Sequence, residues 1–395
     1  MKQQNSMLKT ARLQKSWTPE FVSKKVGVSL STYIRWESGT QTPRNTSLYA
    51  LCQVFEMSPA ELGFEVVPPP TKRSLLDPIL SKKDFAANPD SDALIVDTGN
   101  LTETLALWKM GISSCWQLYM IGGQTELERL LPAYLSNLAR PTLYPGPEQK
   151  MAAHLTAQVY QLTALLELQR GDFVTAQMNA SQALVYSQIA KDWNLYIASQ
   201  MRLASIFIAR KRIGSALSAY NDALRRVNSS NDEISPLLHC WIFAALAEIQ
   251  ATMGREKEAL QFLQLAFAVF PDDPMNDPSF SYIRYERYML FLYEGQVFLR
   301  LGQPKTAWDA FSRIDELKPA PPERIRAEFL KQRAYTSLVL GNMVQSCIYL
   351  EAAAKAAQEI HSDLAFSEIY TLYEHMLAVW GQEVRVRSLS RLFQR

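Results

Sequence analysis

The stretch TPEFVSKKVGVSLSTYIRWESG, residues 18–39, determines the fold predicted for the N-terminal part of the chain. Thr18 suits the N-cap of a first helix, and Pro19 falls in its first turn, where a missing backbone N–H is tolerated. Gly27 suits a tight turn, after which Ser29 can cap a second helix that ends at Gly39. The pattern therefore predicts a helix-turn-helix, whose second helix has the length and position of one that lies in a DNA major groove.

Helical patterns also flank this stretch. Residues 5–15 are predicted to form a helix before it, residues 45–56 a helix after it, and residues 58–62 the start of a short fifth helix. Such an arrangement over residues 7–64 resembles the lambda-repressor/Cro, or Xre-like, DNA-binding domain.

Two residues make this resemblance specific. Arg12 and Glu37 stand where that family often has an ion pair between its first helix and the end of its recognition helix. The ending Trp36-Glu37-Ser38-Gly39 is similar to the close of that helix in the family. The resemblance implies that the head, residues 1–66, binds double-stranded DNA, usually as a symmetric dimer on paired half-sites.

The helical register predicts which side chains reach DNA. Tyr33 and Trp36 are three residues apart and should face the core, which turns Arg35 toward the groove, where its fork can bind guanine O6 and N7. Lys24 and Arg44 are candidate phosphate contacts. The predicted DNA-binding residues are Lys24, Ser29, Leu30, Ser31, Thr32, Ile34, Arg35 and Arg44.

Three features depart from the family pattern. Pro19 replaces a glutamine that often binds phosphate, Phe21 occupies a usually polar position, and Leu30 and Ile34 are apolar on a groove-facing helix. A head that binds a protein partner instead of DNA is therefore the alternative hypothesis.

Composition restricts the class of protein. The 395 residues are 48% hydrophobic and 20% charged, which is enough for two or three globular domains. Residues 1–64 carry a net charge of +4 and the remainder −2, so only the head is basic. The N-terminus is polar and no apolar run approaches the ~18 residues of a membrane span. The four cysteines are scattered, which favours a reducing, cytoplasmic location and predicts neither metal nor cofactor.

Residues 67–92 are predicted to link the head to the rest of the chain. Pro68, Pro69 and Pro70 favour an extended, semi-rigid spacer. The segment can set the distance between the domains or serve as a passive tether, and the sequence leaves both interpretations open.

Residues 93–395, called the body, repeat a helical pattern. Five turn positions recur at intervals of 40, 43, 48 and 39 residues: Gly171, Lys211, Gly254, Gly302 and Gly341. Small residues recur seven positions before each turn, five after it and twelve after it, except at Ile314. Small residues allow two antiparallel helices to pack closely where they cross. The spacing resembles the tetratricopeptide repeat, so the predicted fold is all-α, with a helix-turn-helix domain followed by an α-solenoid and a capping helix at 361–380.

The concave face of such a solenoid commonly binds extended peptides or partner helices. Register assigns eleven residues to that face as candidate ligand contacts: Gln158, Gln161, Arg202, Ser205, Glu248, Tyr293, Gln296, Arg300, Lys331, Gln332 and Tyr335. The aromatic cluster at 280–298 is interpreted as helix–helix core rather than as a ligand pocket.

A helix-turn-helix head on a repeat body resembles peptide-sensing regulators of the Rgg/PlcR type. The resemblance implies a homodimeric transcription regulator whose body binds a peptide or protein signal. The alternative is a repeat scaffold or adaptor, whose head serves localisation or dimerisation. An enzyme is not predicted, because the sequence contains no phosphate-binding loop, nucleophile elbow or metal-ligand cluster.

Overall fold

The computed structural model describes residues 6–15, 17–43, 45–55, 57, 62–64, 101–229 and 233–394. The predicted linker at 67–92, Arg44 and most of the predicted fifth helix lie outside these residues. The chain divides into two compact units, Met1–Ile95 and Val96–Arg395.

The first unit contains four helices in its described residues, and the local sequence sets their ends. They are α1 (Ser6–Gln14), α2 (Pro19–Val26), α3 (Leu30–Glu37) and α4 (Asn45–Phe55). The Thr18 hydroxyl accepts a hydrogen bond from the Phe21 N–H at 3.2 Å, and Gly27 takes a left-handed φ of +77°. The Ser29 hydroxyl accepts one from the Thr32 N–H at 3.2 Å. Both predicted N-caps and the predicted turn are therefore confirmed.

The second unit is an array of antiparallel helices with short turns. Its helices are α5 (Leu101–Ile121), α6 (Gln124–Leu143), α7 (Gln149–Gln169), α8 (Phe173–Ala190), α9 (Trp193–Ala209), α10 (Ile213–Ser229), α11 (Pro236–Thr252), α12 (Glu256–Val269), α13 (Phe280–Ile283), α14 (Arg287–Arg300), α15 (Pro304–Asp315), α16 (Glu323–Val339), α17 (Met343–Glu359), α18 (Asp363–Trp380) and α19 (Val384–Ser388). A 3₁₀ turn, Leu389–Phe393, follows α19.

The repeat pattern read from the sequence is confirmed. All five predicted turn residues adopt positive φ, including Lys211 at +57°. The small residues of the pattern are fully buried where paired helices cross; Ala164, Ala176 and Ala183 are examples. At the equivalent Gly295, an added Cβ would collide with the ring of Phe311. The close packing of each pair therefore depends on these positions.

The array curves until its ends meet, which the sequence pattern did not predict. Helix α5 packs against α7, α13 and α16, so it crosses the inner face formed by the first helices of the pairs. Arg324 on α16 donates from Nε to the Tyr119 carbonyl of α5 at 2.8 Å. Ser362, at the start of α18, donates to the Gln169 side chain of α7 at 2.5 Å. The first and last pairs thus close the array.

The predicted capping helix and the C-terminal segment cover the last apolar face. Helix α18 supplies the buried residues Ile369 and Met376 to the terminal core. Leu389 is buried in the same core, and Phe393 stacks on Tyr373 with ring centroids 5.1 Å apart. The segment after α18 is therefore part of the folded body.

Candidate functional site

The buried face of the recognition helix α3 is fixed by an ionic network. Arg12 on α1 donates from Nε to Glu37 Oε1 at 2.5 Å and from Nη2 to Glu37 Oε2 at 3.1 Å. The Tyr33 hydroxyl donates to Glu37 Oε1 at 2.8 Å. The pKa of Tyr33 is raised, mainly by burial and secondarily by this hydrogen bond. Tyr33 and Trp36 are buried, as predicted. The predicted Arg12–Glu37 pair is present, and it sets the rotation of α3.

The opposite face of α3 presents the predicted DNA-binding residues. Lys24, Ser29, Ser31, Ile34 and Arg35 are exposed, whereas Leu30 and Thr32 are half-buried. The Ser29 hydroxyl also lies 3.0 Å from the Ser31 hydroxyl and 2.8 Å from that of Thr32, so the helix cap already occupies these groups. Among the described side chains none pairs with the Arg35 guanidinium, which leaves it available to a ligand. Arg44 lies outside the described residues.

The C-terminal end of α3 carries a hydrogen-bonded turn that the sequence analysis missed. The Thr40 hydroxyl donates to the Arg35 carbonyl at 3.1 Å, and the Ser38 and Thr40 hydroxyls lie 2.9 Å apart. The signal for it was the Ser-Gly-Thr sequence directly after the helix. This turn secures the backbone that carries Arg35.

Phe21, the unusual apolar residue of α2, packs on the surface of the head. It is 43% exposed, its ring centroid lies 5.4 Å from that of Trp17, and the Lys25 ammonium lies 5.5 Å from its ring centroid. Ile34 is 48% exposed. Both residues remain accessible to a partner.

Three predicted ligand contacts in the body are interior residues, which corrects the prediction that they line an open face. Gln158, Gln161 and Arg202 are each at least nine-tenths buried. The Gln158 side chain accepts a hydrogen bond from the indole N–H of Trp116 on α5 at 3.0 Å. Gln161 donates to the Ser199 hydroxyl at 2.8 Å. The physical reason is that α5 packs across this part of the inner face, where Trp116 contacts Gln158 and Arg202, while Gln161 bonds residues of α9.

Arg202 is buried among aromatic rings. Its guanidinium carbon lies 4.7 Å from the ring centroid of Trp116 and 5.4 Å from that of Trp241. It donates from Nε to Gln161 Oε1 at 2.9 Å and from Nη2 to the Tyr282 carbonyl at 2.8 Å. Burial lowers the pKa of Arg202 to about 10. Within the described part of the chain it has no carboxylate partner, so ring faces and neutral oxygens stabilise its charge.

Another part of the inner face is open and forms a chamber of about 340 Å³. Two predicted ligand contacts, Glu248 on α11 and Arg300 on α14, line it. Its other lining residues are Ile208, Ala209, Lys211, Ile213, Tyr220, Ala245, Ile249, Thr252 and Glu368. The chamber therefore combines apolar walls with charged groups from several helices, as small-molecule sites commonly do.

An ionic cluster borders this chamber on α16 and α18. The Lys331 ammonium lies 2.6 Å from a Glu328 carboxylate oxygen and 2.5 Å from one of Glu368. Although burial opposes its charge, these two carboxylates raise the pKa of Lys331. Gln296 and Gln332 donate to Glu328 at 3.2 and 2.8 Å. Three predicted contacts, Gln296, Lys331 and Gln332, are thus brought together here.

Three further residues of this region, Tyr220, Glu328 and Glu368, were not among the predicted contacts. Glu368 lies on α18, which the pattern marked only as a capping helix, and it reaches the chamber because the array closes. Tyr220 lies on α10, the second helix of its pair, and is buried. The repeat register assigns ligand contacts only to the first helix of each pair, so it predicts neither Glu368 nor Tyr220 as a chamber residue.

The remaining predicted contacts already have partners inside the body. The Ser205 hydroxyl donates to the Met201 carbonyl of its own helix at 3.1 Å. The Tyr293 hydroxyl accepts from the Trp241 indole N–H at 3.3 Å. Tyr335 packs against the terminal core. Most of the 280–298 aromatics, including Tyr285 and Tyr288, are buried, while Tyr293 and Phe298 are half-buried and pack against core clusters, which agrees with their interpretation as core.

A second cleft, of about 510 Å³, lies between α8, α9 and α10, and no predicted site residue lines it. It contains Arg226, whose guanidinium carbon lies 3.3 Å from the ring centroid of Trp193. Gln200 is also buried there, and no described residue bonds its side-chain oxygen. Arg226, the most buried cation of this cleft, is thus already stacked on a ring, whereas the chamber retains charged groups without partners.

In the described parts of the chain, every helix is too short or too polar to span a lipid bilayer. The same residues contain no group of three or more His, Cys, Asp or Glu side chains placed to hold a metal ion.

A comparison with protein families supports the helix-turn-helix prediction for the head. Residues 8–62 match the family model for helix-turn-helix domains, and this region is an Xre-type helix-turn-helix domain. No curated protein sequence matches the chain.

The chain is similar to several solved structures at low sequence identity. PlcR from Bacillus thuringiensis, solved in complex with the peptide PapR7 and DNA, is 14% identical, with a TM-score of 0.37 over 80% of this chain and 96% of PlcR. A tetratricopeptide repeat protein from Parabacteroides merdae is 13% identical, with a TM-score of 0.40 over 70% of this chain and 93% of that one. The APC/C hetero-tetramer Cut9–Hcn1 is 16% identical, with a TM-score of 0.42 over 76% of this chain and 50% of that one.

Proposed function

We propose that the protein is a sequence-specific DNA-binding transcriptional regulator. The observation that carries this proposal is the orientation of α3. The Arg12–Glu37–Tyr33 network holds one face inward, and the other face carries Arg35, which has no partner among the described side chains. A fixed arginine on such a helix can bind guanine O6 and N7 together. Lys24 and Arg44 are the proposed phosphate contacts.

The body is the proposed sensor. A peptide or protein signal binds at the open chamber, where Glu248, Arg300 and the Lys331 cluster meet. A ligand that prefers one shape of the body shifts the protein toward that shape and changes its affinity for DNA. The protein acts as a cytoplasmic homodimer, so that two heads engage paired half-sites, and it has no enzymatic activity.

The test is selection of random duplex DNA by the full-length protein, followed by sequencing. A palindromic motif is the expected product. Arg35→Ala should lower affinity for that motif by about 1–3 kcal/mol and relax selection at one base position in each half-site. Lys24→Ala is the matched control, because loss of a phosphate contact should weaken all sequences uniformly and reduce the salt slope by about 1.

A scaffold or adaptor is the second candidate function. Phe21 and Ile34 support it, because both are large, apolar and exposed on the head. This function predicts weak, salt-sensitive DNA binding without an enriched motif. A selection without enrichment by the folded protein, both alone and with cell extract, would contradict the regulator and favour the scaffold.

A further inference from the structure

Three charged side chains that line the chamber lack partners among the described residues: Lys211, Glu248 and Arg300. Within the described part of the chain, neither the Glu248 carboxylate nor the Arg300 guanidinium makes an ion pair within 4.0 Å or a side-chain hydrogen bond. The Glu368 carboxylate, which lines the same chamber, is instead paired with Lys331. Lys211 also lines the chamber and, like Arg300, is exposed and has no partner among the described side chains. It lies in the turn between α9 and α10, whereas Glu248 and Arg300 lie on α11 and α14, which pack against each other. Glu248 and Arg300 are therefore two opposite charges, without partners, on adjoining helices of the chamber.

The two charges face one cavity from neighbouring helices. Glu248 lies on α11 and Arg300 at the end of α14, and these helices pack against each other. Packed helices lie about 8–10 Å apart. An extended chain spans about 3.3–3.6 Å per residue, so two or three residues bridge such a distance.

The rest of the lining fits the same kind of molecule. Ile208, Ile213 and Ile249 supply apolar walls, and Tyr220 supplies a ring. The volume of about 340 Å³ is at the lower end of the range for small-ligand sites. A half-buried carboxylate without a partner is unfavourable, and burial raises the pKa of Glu248 despite the attraction of Arg300 and Lys331. A ligand ammonium beside Glu248 would relieve that penalty.

We propose that the chamber binds a zwitterionic di- or tripeptide by both ends, with its terminal ammonium on Glu248 and its terminal carboxylate on Arg300. This inference rests on the proposed function, because it names the class of signal that the body binds. It excludes ligands whose termini are blocked.

The test uses full-length protein and three pools of randomised tripeptides, with free ends, an acetylated N-terminus or an amidated C-terminus. Retained peptides are identified by affinity-selection mass spectrometry. The pool with free ends should be retained, and each blocking group should lower retention about tenfold or more, since a charge-assisted contact is lost.

Two variants assign the contacts. Glu248→Gln should bind free and acetylated peptides equally while still rejecting amides, and Arg300→Gln should show the reverse selectivity. Arg225→Gln is the matched control, since it removes an exposed cation of α10 outside the chamber and should leave retention unchanged. The blocked pools test the wild-type protein, so the result does not depend on either variant folding.

Other outcomes overturn the inference in distinguishable ways. Equal retention of all three pools removes the role of both termini but leaves peptide binding by the body intact. Loss on acetylation alone removes the role of Arg300, and loss on amidation alone removes that of Glu248. Retention of no pool overturns the short-peptide ligand, whereas the DNA selection tests the regulator independently.

Discussion

The inner face of the body has a closed part and an open part built from the same kind of helix. In the closed part, Gln158, Gln161 and Arg202 are buried, and Trp116 of α5 contacts Gln158 and Arg202. In the open part, the half-buried Glu248 and the exposed Arg300 line a chamber. Repeat register assigns all five residues to the same class. The difference arises from a distant segment that fills one part of the face and leaves the other part free.

The two parts also handle charge differently. Arg202 is held by two tryptophan rings, a glutamine and a carbonyl oxygen, all supplied by the protein. Arg300 has no such partner among the described residues. A buried polar group with every contact satisfied stabilises a fold, whereas a group without contacts is available for binding. The comparison thus separates structural from ligand-binding positions on one surface.

The largest effect on stability should come from removing the side chain with which α5 covers the closed part of the inner face. Trp116→Ala removes a fully buried ring, leaves Gln158 without its indole partner and opens a cavity beside Arg202. We expect a loss of about 3–5 kcal/mol in the free energy of unfolding, measured by urea denaturation. Leu107→Ala, an exposed position on the same helix, should change it by less than about 0.5 kcal/mol. Similar values for the two variants would mean that α5 does not close the inner face.

Local physics explains which features the sequence could predict. The caps at Thr18 and Ser29 and the positive-φ turns at Gly171 and Lys211 involve only neighbours in the chain. The Arg12–Glu37 pair was expected from the resemblance to a family. Small residues such as Ala176 predicted close helix pairs because each pair is local.

Closure of the array was not predictable in this way. It depends on contacts such as Arg324 with Tyr119 and Ser362 with Gln169, which join residues far apart in sequence. The repeat pattern does not predict these contacts, because it describes only how neighbouring helices of a pair pack, whereas α5 and α18 contact helices that are distant in sequence. This is why Arg202 was assigned to an open surface and why Glu368 was missed as a chamber residue.

The same arginine-to-methionine substitution in the two parts should change the free energy of unfolding by different amounts, with a smaller maximum loss than Trp116→Ala. Arg202→Met leaves the Gln161 oxygen and the Tyr282 carbonyl without their donor, and each buried unsatisfied acceptor costs about 1–3 kcal/mol. Arg300→Met breaks no contact to a described side chain and should change unfolding by less than about 0.5 kcal/mol. Thermal and urea unfolding of the two variants would measure the difference. Equal destabilisation would show that Arg300 has a structural role.

The smallest effect concerns the titration of Glu248. Burial raises its pKa in the folded state, so the folded protein binds this proton more tightly than the unfolded chain does. Its contribution to stability should therefore be present below the ordinary carboxyl pKa of about 4.3 and be lost as the pH rises through the raised value. Arg300 and Lys331 limit the loss, and Glu328 adds to it.

Glu248→Gln should accordingly be more stable than the wild type at pH 7, by less than about 1 kcal/mol because the side chain is only half-buried and solvent screens its charge. The two proteins should converge near pH 4. Urea unfolding at both pH values measures this difference. A variant less stable at pH 7 would mean that Glu248 already has a stabilising partner, and the chamber would then be as closed electrostatically as the part that holds Arg202.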